Sequence, residues 1–177
     1  KSDLGFIKRT GILKINPDIG YKFWPENKKI QSHGFEVTPV IIWRPELNYQ
    51  LSDYFVISRW EGQLNNGDNF NLSMRNVYTY LYDDFDPTRT ENSIPLPANS
   101  EYYYTSFGFS YNNYFSSNEF TYNVEGKFGD FYNGSELSTQ VRLSYRIQPK
   151  FTSSIGIKYD RIKLPDPYSS ADIILIA

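Results

Sequence analysis

The residues best equipped for chemistry in this chain are few and scattered. His33 is the single histidine, next to Gly34, and with no second ligand at metal-binding spacing it reads as a surface residue rather than a metal or catalytic group. Asp83, Asp84 and Asp86 form an acidic run of the kind that holds calcium, but the loop spacing, turn glycine and closing glutamate of an EF-hand are lacking, so a solvated loop is expected. The same carboxylates make a poor glycosidase pair, which needs two groups held about 5 to 10 Å apart across a bond. The absence of cysteine excludes a disulfide scaffold, thiolate metal sites and a cysteine nucleophile. No Gly-rich phosphate loop, zinc spacing or Ser-His-Asp order occurs, so neither an enzyme nor a cofactor is expected. Asn71-Leu72-Ser73 and Asn133-Gly134-Ser135 match the glycosylation pattern by chance, the first of them on an expected membrane strand.

What remains is charge at regular spacing. Arg44, Arg59, Glu61, Arg75, Glu125, Lys127, Arg142, Arg146, Lys158 and Asp160 all fall on the polar side of segments that alternate polar and apolar residues. Such charges are costly against lipid and ordinary in a watery or hydrogen-bonded lumen. Arg75, Arg142 and Arg146 could select anionic solutes, or else form an internal salt-bridge ladder with Glu61, Glu125 and Asp160.

The elements that carry these charges are strands. From Asn69 to Tyr82 one alternate set reads Phe70, Leu72, Met74, Asn76, Tyr78, Tyr80, Tyr82, and the other reads Asn69, Asn71, Ser73, Arg75, Val77, Thr79, Leu81. Fourteen residues at roughly 3.3 Å each, tilted near 45°, cross a bilayer core of about 25 to 30 Å. The pattern recurs. Ile19 to Phe23 and Phe35 to Trp43 give two earlier alternations, the second carrying Pro39, which favours an edge or bulge position. A strand from about Tyr49 to Gln63 precedes the Asn65-Asn66-Gly67-Asp68 turn. Further strands set Tyr103, Phe107, Phe109 and Tyr111 against Ser106 and Ser110; Phe120, Tyr122, Val124 and Phe128 against Glu125 and Lys127; Leu137, Val141, Leu143 and Tyr145 against Arg142 and Arg146; and Phe151, Ile155, Ile157 and Tyr159 against Lys158 and Asp160. A ninth begins at Asp172.

The expected fold is therefore all-β: an antiparallel, up-and-down transmembrane barrel, here a partial wall of about eight or nine strands spanning 1–177 as a single segment. Phe70, Leu72, Met74, Phe107, Phe109, Tyr122, Val124, Val141, Leu143, Ile155 and Ile157 are expected to face lipid, with Tyr78, Tyr80, Tyr82, Tyr103, Tyr145 and Tyr159 in the interfacial girdles. Residues 83–100 hold three prolines and no alternation, and form the long external loop opposite short turns near Asn65, Phe115 and Pro149. Composition agrees: 16 Tyr, 13 Phe and 3 Trp make 18% of 177 residues, yet no apolar run is long enough for a membrane helix. With 18 Lys and Arg against 20 Asp and Glu, there is no basic footprint for nucleic acid.

Several segments, GFIKRTGILKINPDIGYKFWP, FDPTRT, GDFYNGS, YRIQP and above all RIKLPDPYSSAD, resemble the C-terminal region of an uncharacterised Gram-negative outer-membrane barrel family. Barrels of that family follow an N-terminal β-sandwich similar to a carbohydrate-binding module of family nine. The resemblance implies a bacterial outer-membrane location and no catalytic residues. It also implies a longer barrel than this chain supplies, in keeping with a start at Lys1-Ser2-Asp3-Leu4 that is no signal peptide and a finish inside an apolar run, both of which suggest a fragment.

The expected function is a pore, an uptake component or a membrane anchor. Its partners would be outer-membrane lipid, other outer-membrane or surface proteins, and a small polar or glycan solute. Two alternatives stand beside it: a soluble, lectin-like all-β protein whose Tyr and Trp stack on sugars, and a structural subunit of a larger outer-membrane complex. Strand length separates the first pair, since sandwich strands average five or six residues.

Overall fold

The computed structural model describes residues 11–26, 29–113, 119–147 and 149–176. They form one antiparallel sheet with no α-helix among the described residues. Its strands are β1 (Leu13–Ile15), β2 (Ile19–Phe23), β3 (Ile30–Arg44), β4 (Gln50–Leu64), β5 (Asn69–Leu81), β6 (Ser100–Asn112), β7 (Phe120–Phe131), β8 (Gly134–Ile147), β9 (Phe151–Lys163) and β10 (Ala171–Ile176). From β3 onward each strand pairs with the next in the chain, and β10 ends the row without returning to the other edge. The sheet is an open, up-and-down wall whose long strands run 12 to 15 residues.

β1 was not legible as a strand, and it explains Pro39. The pairs Ile15↔Ile41 and Ile19↔Val37 share one register, on which Pro17 would meet Pro39. Neither proline has an N–H to give, so the edge ladder lapses over residues 16–18 and resumes as β2. Pro39 therefore lies neither on the sheet edge nor at a bulge: it pairs with Val56 on one side and faces the interruption in its edge neighbour on the other. β1 and β2 together fill one strand position.

Directly opposed residues in an antiparallel pair share a face, so the registers assign every side chain. One row runs Val37, Ser58, Met74, Phe107, Phe128, Leu137, and another Phe70, Tyr111, Val124, Val141, Ile157, Ile176. The rows between them run Glu36, Arg59, Ser73, Gly108, Lys127, Ser138, Asp160. One face of the sheet is mainly apolar, its polar members including Asn76, Thr105 and, at the β9–β10 end, Arg161 and Asp172, and the other face carries most of the charges.

Burial is inverted with respect to a water-soluble domain. Among the described residues the buried apolar ones are Val40, Val77, Tyr78, Leu96 and Leu164, whereas Ser32, Thr38, Thr79, Ser106 and Asn123 are buried on the polar face. On the apolar face Leu72 is 48% exposed and Ile155 52%. A single sheet can shelter one face only by curling toward it, so the polar face is concave and the apolar face convex.

The connections at the two ends differ in kind. Residues 65–68 make a tight turn, with Gly67 at φ 90° and the Leu64 N–H donating to the Asp68 carbonyl at 2.8 Å. The turn expected near Phe115 lies outside the described residues, as do Asn27 and Lys28 of the turn after Pro25, and Gln148. At the opposite end residues 82–99 are not a bare solvated loop but a folded excursion. Phe85 and Leu96 exchange backbone hydrogen bonds of 3.0 and 2.8 Å, and Leu96 is fully buried. Asp86 is the hub of this excursion, accepting from the Thr88 N–H at 2.8 Å, the Thr88 hydroxyl at 2.7 Å and the Ser93 hydroxyl. Partial burial alone would raise its carboxyl, but these donors outweigh it and hold the pKa at about 2.

Candidate functional site

The concave face gathers the chemistry. Alternation on β3 to β9 places Arg44, Arg59, Glu61, Arg75, Glu125, Lys127, Arg142, Arg146, Lys158 and Asp160 on it. The same registers put Phe70, Leu72, Met74, Phe107, Phe109, Tyr122, Val124, Val141, Leu143, Ile155 and Ile157 on the convex face.

Some of the charges on the concave side are matched, those of Arg59, Lys127, Lys158 and Asp160. The Arg59 guanidinium meets Glu36 of β3 instead of its near neighbour Glu61, and the Thr38 hydroxyl donates to Asp18 at 2.6 Å beside it. Lys127 reaches Glu136 across β7 and β8 at 2.5 Å, and Lys158 meets Asp160 at 2.6 Å, with Ser138 donating to the same carboxylate. Glu36 and Glu136 were missed as ladder members. Both stand directly opposite or diagonal to a cation once registers are known, a relation that no single-strand pattern reveals.

Arg75 is held differently. It sits at the midpoint of β5, its guanidinium 4.6 Å from the Phe55 ring centre, and its Nε is buried without a hydrogen-bond partner. Two hollows meet at this side chain. One, about 540 Å³, is walled by side chains of β4 to β9, including Ser73, Ser106, Ser138 and Gln140. The other, about 500 Å³, lies toward the 82–99 end and is walled by Phe55, Tyr104 and Tyr132 with Lys14 and Asp53. Asp53 is engaged by the Ser52 hydroxyl at 2.7 Å and by Thr79. Tyr132 takes a left-handed φ of 51° in the two-residue turn between β7 and β8, and its ring contacts Phe85, Tyr102 and Tyr104. That cluster ties the 82–99 excursion to the concave rim.

The convex face carries aromatic groups at two levels. Near the turn end, Phe35 stacks on Trp60 at 6.1 Å, Trp60 meets Phe70 edge-on at 5.0 Å, and the Trp60 Nε1 donates to His33 at 3.4 Å. His33 thus belongs to an aromatic cluster, stacked 5.2 Å from Phe23. Near the other end Tyr78 packs between Tyr54 and Tyr103 at 5.4 and 4.7 Å. Tyr159 of β9 donates to Asp172 at 2.8 Å, while Tyr145 lies near the turn after β8. Tyr80 meets Tyr82 edge-on at 4.7 Å. Tyr82 falls beyond the last residue of β5, where alternation no longer assigns a face, and its ring carries the Arg44 guanidinium at 4.0 Å. Midway, the polar pair Asn76 and Thr105 satisfies itself on the convex face through a 2.8 Å hydrogen bond.

Comparison with protein families, with curated proteins and with solved structures finds no match for this chain. The geometry stands on its own.

Proposed function

We propose that this chain is a wall segment of a bacterial outer-membrane β-barrel that serves as a pore or uptake component, with further strands completing the circumference. The observation that carries the reading is the inversion of burial: a mainly apolar convex face left uncovered from β1 to β10, against a concave face that carries most of the charges. A water-soluble sandwich does the opposite, pressing its apolar faces against a second sheet, and so large an uncovered apolar surface calls for lipid or protein. Spacing supports lipid. Phe70 and Tyr78, on the two aromatic levels, are eight residues apart on β5, about 26 Å along the strand and about 20 Å at a 40° tilt, which is the scale of a barrel's apolar band. The resemblance to an outer-membrane barrel family points to the same location, and the open edges of β2 and β10 require additional strands in lipid.

The test is twofold. Trp60, kept as the sole tryptophan by Trp24→Phe and Trp43→Phe, should be quenched by lipids brominated on their acyl chains once the protein is folded into vesicles, and planar-bilayer recording should give stable unitary currents. Quenching without current would leave a membrane anchor or assembly subunit. A protein that folds in water, with Trp60 untouched by lipid, would overturn the membrane reading in favour of the lectin-like one.

A further inference from the structure

We infer that Arg75 is the anion-binding residue at the waist of the concave face, and that the solute it takes is a small, hydroxyl-rich organic carboxylate of the sugar-acid class. The inference rests on the pore reading for its route, but the site itself stands on geometry.

Three observations converge on Arg75. It alone among the concave cations lines both hollows, so a solute moving from one to the other passes its guanidinium. It has no carboxylate partner among the described residues, whereas Arg59, Lys127 and Lys158 are paired with Glu36, Glu136 and Asp160. Packing on Phe55 fixes the plane of the guanidinium, and the buried, unpartnered Nε is a donor whose desolvation no protein group offsets. Where the guanidinium lines the hollows, a carboxylate is the group that matches its charge and planar donors.

The surroundings narrow the ligand further. On one side Ser73, Ser106 and Gln140 offer hydroxyl and amide groups that exchange hydrogen bonds with a polyol. On the other, Phe55, Tyr104 and Tyr132 offer ring surfaces against which the C–H face of a sugar can lie. A simple inorganic anion would use the arginine and neither wall, and a neutral sugar would use the walls and leave the guanidinium without a counter-charge. A sugar acid uses all three.

The experiment uses the complete barrel that this chain helps to wall, in planar bilayers under a salt gradient, with galacturonate and galactose as probes. The wild type should prefer anions and its current should be blocked by galacturonate but not by galactose. Arg75→Gln should abolish both effects, while Arg142→Gln, the same change of charge on the same face but lining neither hollow, should leave them. Arg75→Lys, which keeps the charge and guards against misfolding, should retain the anion preference and weaken galacturonate block about tenfold. Equal loss in the Arg142 variant would overturn the proposal, since overall field and not a site would then be responsible. If the protein inserts and carries no current, the pore reading fails by itself. Calorimetric titration of the folded protein with galacturonate then decides the site: binding lost in Arg75→Gln supports it, and no binding to the wild type overturns it.

Discussion

The ring of Phe109 on β6 lies over Gly126 on β7, filling the space that a side chain there would need. Phe70 covers Gly62 in the same way one hairpin earlier, again as a directly opposed pair on the convex face. An aromatic ring laid across a glycine keeps the outer surface apolar where the backbone would otherwise be bare, and pins the register of the two strands.

Gly126→Ala should therefore cost about 1–3 kcal/mol by displacing the Phe109 ring. The double variant Phe109→Ala/Gly126→Ala should cost less than the sum of the single changes, because the added methyl then has room. Urea unfolding in lipid vesicles measures all three. Strict additivity would mean that ring and glycine do not interact.

The two faces predict opposite responses to one substitution. Leu143, opposed by Tyr122 and Ile155, sits in the convex belt, and on the proposed membrane reading Leu143→Arg should destabilise the protein folded in lipid by about 2–4 kcal/mol. Ser144, opposed by Thr121 and Ser154, lies on the concave side, where Ser144→Arg should be tolerated. The reverse order would exchange the faces.

Arg59 should couple energetically to Glu36 and not to Glu61. Both paired side chains are about a third exposed (31% and 35%), so a double-mutant cycle with Glu36→Gln and Arg59→Gln should return up to about 1 kcal/mol. The corresponding cycle with Glu61→Gln should return nothing measurable.

The 82–99 excursion should be stable to acid well below the usual carboxylate range. Asp86 has its pKa lowered from 3.8 to about 2, so its contribution is fully present above pH 3.8 and is lost as the pH falls toward 2. Pepsin digestion across pH 4 to 1.5 should show the segment resistant at first and cut as Asp86 protonates. Asp86→Ala should be cut several-fold faster at every pH, and equal cleavage of both proteins at pH 4 would deny Asp86 its role.

The long strands were legible because a period of two is local information, visible in any window of the chain. The alternation from Phe70 to Tyr80, and the opposite alternation through Arg75, survive intact in the registers. What the sequence withheld was relational. The interruption between β1 and β2 depends on two prolines 22 positions apart meeting across a ladder, and a three-residue β1 offers no pattern of its own. The ladder partners Glu36 and Glu136 needed the cross-strand register, and the meeting of two hollows at Arg75 needed the curvature of the sheet. The proline-rich stretch after β5 read as formless because its order comes from side-chain capping by Asp86 and from Leu96, signals without periodicity.

Every strand from β4 onward takes its hydrogen bonds only from the strands just before and just after it in the chain. A wall wired in this way is modular in girth. A hairpin such as β8 with β9 can be duplicated or lost by a single genetic event, and the remaining ladders keep their partners, so the width of the sheet can be retuned over evolutionary time while the weave stays the same.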